Sequence, residues 1–533
     1  MIISRRDLVK MGLAAGTAVS MPSILRAQTS SMPDRTVRMV KDTGLSVLDP
    51  ISTTTTVSND HGLAIYDTLF AFDSKFVPQP QMIGKWAVSD DKKTYTFELR
   101  DGLGWHDGAP VTAADCVASI RRWREVNSGG RLIMERAKDI SKKDDKTFTV
   151  ALNEPLALLP EFFAGFGPCL FIMREKDADR PASEQVTELI GSGPFKFNEA
   201  LAKPGASFAY DRNENYVPRS EPPDGFAGGK IVKVDRVIWE IISDQQTALA
   251  ALQAGEVDFV QAPTVDLYPV IESDPNLKLN VLDKGGWQVI LRMNCLQKPF
   301  NNVKARQAML HLIDQEALMQ VMVPNPGYTS TQTSIFGSTS HYSNDVNTGW
   351  YKKGGDPKKA KQLLQEAGYA GEKVVILDPT DWHEADNAAQ FVAATLRKIG
   401  VNAELAPSDW GGIVKRRANK GPVEDGGWSI LITTGSDSLR DNPLSVPQYI
   451  ASGEDAWYGW PKSDEFEALR HKWVDVQTLE ERKALAREMQ RVWWDFVGDI
   501  RLGRYVSPVA HRSNLSGIIS TPVLIPMWNM EKA

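Results

Sequence analysis

The sequence predicts an α/β protein of more than one domain, with mixed sheets. Three observations lead there. The chain has 533 residues, more than a single hydrophobic core usually organises. Helical and extended patterns alternate through its later half, the order that places helices on a sheet. Around residues 86–123, a period-two strand pattern runs directly into a capped helix.

That run opens with a Ser89–Lys93 turn. Tyr95, Phe97 and Leu99 then alternate with Thr94, Thr96, Glu98 and Arg100, as in a half-buried strand. A tight Asp101-Gly102 turn and a polar loop holding Trp105, His106, Asp107 and Gly108 follow. Thr112 and Asp115 stand as N-cap and N3 acid before helical Val117, Ile120 and Trp123. Upstream, residues 36–41 read as a first strand, 53–56 as a Thr loop and 62–70 as a short helix. Downstream, strands are expected at 147–152 and 237–242 and helices near 158–163 and at 245–254. Asp314 suits an N-cap, with Met309, Leu312 and Ile313 on the face before it. Asp356-Pro357 starts a helix carrying Ala360, Leu363, Leu364 and Ala367, ended by Gly368. Strands at 374–377 and 401–405 flank a helix bearing Phe391, Val392, Leu396 and Ile399. Thr478 and Glu481 cap a long helix with Leu485, Met489, Val492 and Phe496 on its face. The strand after it, 500–506, is expected to return to the first domain.

Composition narrows the function. Residues 4–10, Ser-Arg-Arg-Asp-Leu-Val-Lys, precede a short, mildly apolar stretch to Leu25. This is the order of a twin-arginine signal peptide, and cleavage is expected near Ala27. The mature product is expected in the periplasm. Removing residues 1–27 takes away Arg5, Arg6, Lys10 and Arg26 against Asp7, moving the net charge from −6 to −9. With no basic run to offset it, this balance argues against a nucleic-acid partner. Three cysteines, Cys116, Cys169 and Cys295, are too few for a disulfide framework. Seven scattered histidines offer no pair at metal-ligand spacing, and no phosphate loop, dinucleotide fingerprint or nucleophile elbow occurs. The chain therefore reads as a non-enzyme with no catalytic residue, metal site or cofactor.

Five segments in order carry a resemblance. They are the 86–123 run; Gly191-Ser192-Gly193-Pro194-Phe195; Arg212-Asn213 with Tyr216; Ala251-Leu252 with Gly255-Glu256-Val257-Asp258; and Asn294 through Pro299-Phe300 to Arg306 and Ala308. Together they resemble the family 5 solute-binding proteins of bacterial ABC importers, the peptide and nickel receptor group. The resemblance implies a class C, bilobed periplasmic-binding-protein fold. Lobe I would combine 36–76, 191–283 and 502–533 with an inserted subdomain at 77–190, and lobe II would be 284–501. Crossings near 283–288 and 500–504 would form a hinge that closes on ligand.

It also implies a monomer that captures a peptide-like solute and hands it to an ABC permease. An opine, an oligosaccharide or a metal chelate remains an alternative ligand, and a periplasmic chaperone or sensor an alternative role. In peptide-binding members a loop after a buried strand carries an Asp for the ligand's ammonium. The corresponding stretch here makes Asp437 the first choice and Asp441 the second. Aromatic residues beside glycines, Trp410, Trp428, Tyr458 and Trp460, are candidates for a cleft wall. Trp287, Trp382, Ser436 and Thr54 complete the candidate ligand-binding set.

Overall fold

Three large sheets organise the described residues. The structure is a computed structural model and describes residues 35–533 apart from Thr54 and Pro168. The twin-arginine segment, the cleavage position and the Thr54 assignment lie outside the described residues.

The first lobe holds a seven-stranded sheet in the order Leu277–Asn280, Val509–Arg512, Phe259–Val260, Thr36–Val40, Arg236–Glu240, Ser207–Arg212, Phe195–Lys203. Thr36–Val40 runs parallel to both its neighbours and is the sheet's centre. The expected helix at 62–70 instead spans Thr56–Ile65. Its Ser58, Asn59, Asp60 and His61, polar residues ahead of the expected helix, are buried. Each has a partner elsewhere: Ser58 donates to the Val47 carbonyl at 2.6 Å, and Asp60 accepts from Lys41 at 2.6 Å. His61 meets the Tyr210 hydroxyl at 2.9 Å, and burial lowers this imidazole to about 3, so it is neutral.

The family-like motifs meet where this helix ends. Gly193 donates its N–H to Ile65 at 2.9 Å, and a Cβ on Gly191 would lie 1.6 Å from the Ile65 carbonyl oxygen. Only glycine permits that approach. His106 accepts from the Gly191 N–H, Asn213 donates to the Gly193 carbonyl, and Tyr216 donates to Asp67. Segments far apart in sequence are thereby joined through backbone.

A four-stranded antiparallel sheet, Ile83–Val88, Thr94–Leu99, Thr147–Leu152 and Ala137–Lys142, lies within residues 77–190. Both Thr94–Leu99 and Thr147–Leu152 alternate half-buried and buried residues along their length. Phe97 opposes Phe148 with ring centroids 5.1 Å apart. Helix Ala113–Trp123 begins with the expected capping box, the Thr112 N–H lying 2.7 Å from the Asp115 carboxylate. From this helix Arg122 reaches Asp49 of the first lobe, with nitrogens at 2.7 and 3.2 Å from the two carboxylate oxygens. Both side chains are buried.

The second lobe is built on a six-stranded sheet: Thr329–Ser330, Ile500–Tyr505, Trp287–Met293, Ile430–Ser436, Val374–Pro379, Ala403–Ser408. Val374–Pro379 is parallel to both neighbours and buried throughout, as a covered parallel strand should be. The long helix Leu479–Phe496 opens with the Thr478/Glu481 capping box. Its last carbonyls, at Phe496 and Val497, accept from the Arg306 guanidinium.

Strand Ile500–Tyr505 corrects one expectation. It stays in the second sheet, paired with Trp287–Met293, and the chain returns only with Val509–Arg512. Its sequence, Ile-Arg-Leu-Gly-Arg-Tyr, carries nothing that selects one sheet over the other. The lobes are therefore joined through residues 281–286 and 506–508. A Cβ on Gly286, at φ +66°, would meet the Tyr505 carbonyl oxygen at 2.2 Å. Arg504 donates to the Lys284 and Gly285 carbonyls at 2.7 Å each.

The three cysteines are free, and burial raises all three thiols. Among the described residues no helix is long and apolar enough to cross a membrane.

Candidate ligand-binding site

A cavity of about 400 Å³ lies between the lobes, within the range of small-molecule sites. Phe72, Phe76, Glu161, Phe162 and Phe166 line it from the first lobe and its insert. Tyr342, Asp441, Trp473 and Arg482 line it from the second. The lobes touch around it. Arg482 lies 3.3 Å from Glu161, Arg136 2.8 Å from Asp475, and His341 Nε2 3.1 Å from the Lys75 carbonyl oxygen. Elsewhere along the interface, Tyr328 donates to Glu272 at 3.1 Å.

The first-lobe wall is aromatic. Phe72, Phe76 and Phe166 have pairwise ring centroids 6.2 to 6.3 Å apart, and Phe166 meets Phe226 at 5.6 Å. Phe76 sits at φ +59°, unusual for a residue with a side chain. Asp73 holds that turn: its carboxylate accepts from the N–H groups of Lys75 and Val77 at 2.9 Å and from Gln79 at 2.9 Å. On the opposite wall Trp473 is buried, stacking on Phe336 and meeting Tyr342 edge-on at 4.9 Å.

Asp441 is only partly supported by its neighbours. Its Oδ1 is buried without a hydrogen-bond partner. Burial pushes its carboxyl up to about 7, the Ser340 hydroxyl pulls it down, and the charges of Asp437 and Glu161 push it further up. Burial also raises Glu161, against the pull of Arg482.

Of the described residues expected from sequence, Asp441 alone lines this cavity. Asp437, the first choice as ammonium anchor, is fully buried and already occupied. It accepts from Gln288 at 2.7 Å and from the Ser338 N–H and hydroxyl at 2.7 and 2.8 Å. Its carboxylate fastens the 336–338 loop to the sheet. Trp428 and Trp460 are core residues, packed on each other at 5.9 Å. The Trp428 indole donates to the Arg417 carbonyl at 3.0 Å. Tyr458 packs under the Arg417 guanidinium at 4.5 Å. Trp382 and Trp410 are half-buried and meet edge-to-face at 5.0 Å, apart from this cavity. Trp287 and Ser436 are register partners at the strand ends.

Glu161, Arg482, Tyr342, Trp473 and the phenylalanine wall were missed. Arg482 had a legible signal, since it stands on the apolar stripe of its helix with Leu485, Ala486 and Met489. A buried charge on such a face marks a partner or a site.

Comparison with known proteins agrees with this architecture. Residues 77–456 match the profile described as bacterial extracellular solute-binding proteins, family 5 Middle. The chain is 63% identical over its full length, and that of the relative, to a probable peptide ABC transporter periplasmic-binding protein, y4tO, of Sinorhizobium fredii. It is 25% identical to the glutathione-binding protein GsiB of Escherichia coli K12, covering 98% of this chain and 97% of that one. Among solved structures, the periplasmic binding protein DppA of Helicobacter pylori, in complex with the peptide STSA, aligns with a TM-score of 0.74 at 25% identity. That alignment covers 93% of this chain and 98% of that one. By the profile match over residues 77–456 and the 63% identity along its length, the chain belongs to family 5 of the bacterial extracellular solute-binding proteins.

Proposed function

We propose that this protein captures a peptide-like solute in the inter-lobe cavity and delivers it to the permease of an ABC importer. The observation that carries this reading is an inter-lobe cavity lined both by the Asp441 carboxyl and by the Phe72, Phe76 and Phe166 rings. A carboxyl lining such a cavity favours a cationic donor, which adds charge to the hydrogen bond. An ammonium group next to an apolar side chain is the chemistry of a peptide N-terminus.

Relatives support the class: the 63% identical protein is named for peptides, and the H. pylori protein was solved with one. The tryptophans expected in the cleft wall are in the core or away from the cavity, so they lend an oligosaccharide no support. Closure over the ligand brings the two walls together, and the closed shape is what the permease would read. The protein acts as an exported monomer in the periplasm and carries out no reaction.

Mass spectrometry of solute released from the purified protein tests the reading. A short peptide or peptide conjugate is expected, and its affinity should fall about 30-fold or more in Asp441→Asn, as truncating a buried charge pair typically costs. A neutral sugar or a metal chelate as the released solute would replace this proposal.

A further inference from the structure

We propose that the solute carries a bulky, uncharged apolar side chain, aromatic or branched aliphatic, and that Leu439 and Phe76 select for it at the mouth of the cavity. This rests on the peptide-like reading and adds the class of side chain that the peptide must bring.

Exposed apolar groups carry the argument. Val77, Leu439 and Leu479 are 43%, 38% and 42% exposed, and all three border the cavity. They come from separate segments: Val77 from the turn that holds Phe76, Leu439 from the short Ser438–Asp441 turn of the second lobe, and Leu479 from the start of helix Leu479–Phe496. Leu439 reaches across to the other wall, where its Cδ atoms lie 3.8 and 3.9 Å from the position a Cβ on Gly167 would take. Behind this collar the half-buried rings of Phe72 and Phe76 continue the apolar surface inward to Phe166. Apolar carbon gathered in water beside a cavity is unfavourable until something apolar covers it.

The charges at the cavity are largely matched. Glu161 and Arg482 face each other at 3.3 Å, which leaves the Asp441 carboxyl, two residues along the turn from Leu439, for a peptide ammonium. A further carboxylate or ammonium set against Val77, Leu439 and Leu479 would give up its hydration and gain no partner. A serine or glycine would leave the collar uncovered. The volume of about 400 Å³ suits a short peptide with one such side chain.

The test uses the full chain, stripped of co-purified solute, and calorimetry with dialanine and trialanine and their variants carrying Phe, Leu, Ser, Glu or Lys at each position in turn. At one position the wild type should bind the Phe and Leu peptides about 30-fold more tightly than the Ser peptide, and the Glu and Lys peptides more weakly still. In Leu439→Ser and in Phe76→Ser that preference should shrink to about threefold, whereas Leu439→Met, which keeps an apolar chain there, should retain it. Equal binding whatever the side chain, or a preference for polar or charged ones, overturns the proposal and leaves the peptide reading intact. Both outcomes are read in the wild type and need no variant to fold. An apolar preference that survives undiminished in both serine variants also overturns it, because selection then lies elsewhere. If no peptide of either series binds, the peptide reading fails and this proposal with it.

Discussion

Arg504 holds Gly285: the guanidinium at the end of the strand that leads into one chain crossing donates to a carbonyl of the other at 2.7 Å, and to that of Lys284 at the same distance. The two strands joining the lobes are thus tied at the point about which the lobes would turn. A hydrogen bond to a charged group contributes about 1.5–3 kcal/mol. Arg504→Ala should therefore speed amide exchange across residues 281–286 by roughly tenfold, read by hydrogen–deuterium exchange, with little change in the sheet interiors. Unaltered exchange there would show that Gly286 and Tyr505 hold the crossing without the arginine.

Asp441 should make the solute-free protein less stable as pH rises. Its folded carboxyl is raised to about 7 from the ordinary value of 3.8. Stability from such a group is complete below the unfolded value and is lost as pH climbs through the folded one. At about pH 8 the variant Asp441→Asn should then be more stable than the wild type by on the order of 2–4 kcal/mol, at about 1.4 kcal/mol per pKa unit. Near pH 4 the two should converge. Urea titrations at both pH values decide it, and a constant difference would mean that burial of charge is not the cause.

Trp428 should matter for folding and not for binding. It is fully buried in a small cluster with Leu377, Ile413, Leu431 and Trp460. Trp428→Ala should cost about 3–5 kcal/mol, as large-to-small core changes of this size do. The fraction that remains folded should bind solute with wild-type affinity by calorimetry. Selective loss of affinity would restore Trp428 to the cleft.

Export is predicted to depend on the guanidinium pair at Arg5 and Arg6. Replacing both with Lys preserves charge but should leave uncleaved precursor in the cytoplasm, measured by fractionation and blotting. Normal processing of the Lys–Lys variant would assign export to another route.

Much of the fold was legible because local chemistry set it. Thr94–Leu99 alternates so plainly, and Gln245–Ala254 and Pro357–Glu366 are bracketed so clearly by Asp caps and following glycines, that periodicity located them. The site was harder. Arg482 and Glu161 are 321 residues apart in sequence, and only the approach of the lobes makes them neighbours. The tryptophans misled for a physical reason. Glycines beside them suggested mobile loops, yet a Cβ on Gly427 would lie 2.0 Å from the Gly421 carbonyl oxygen, and one on Gly459 would lie 2.6 Å from that of Met293. These glycines allow close backbone packing around buried rings. Asp437 and Asp441 share one short turn, and nothing local says which has its oxygens already taken.

The Asp49–Arg122 pair restricts how this architecture can be recombined. A four-stranded sheet with its own helix looks like a cassette that could be cut out, shortened or exchanged between receptors. Here its helix carries a buried cation whose counter-charge belongs to the host lobe, and separating such a pair typically costs about 3–5 kcal/mol. A graft of residues 77–190 into another receptor would need a carboxylate waiting at the position of Asp49. A deletion would strand Asp49 inside the first lobe. Inheritance and engineering alike must move the two residues together.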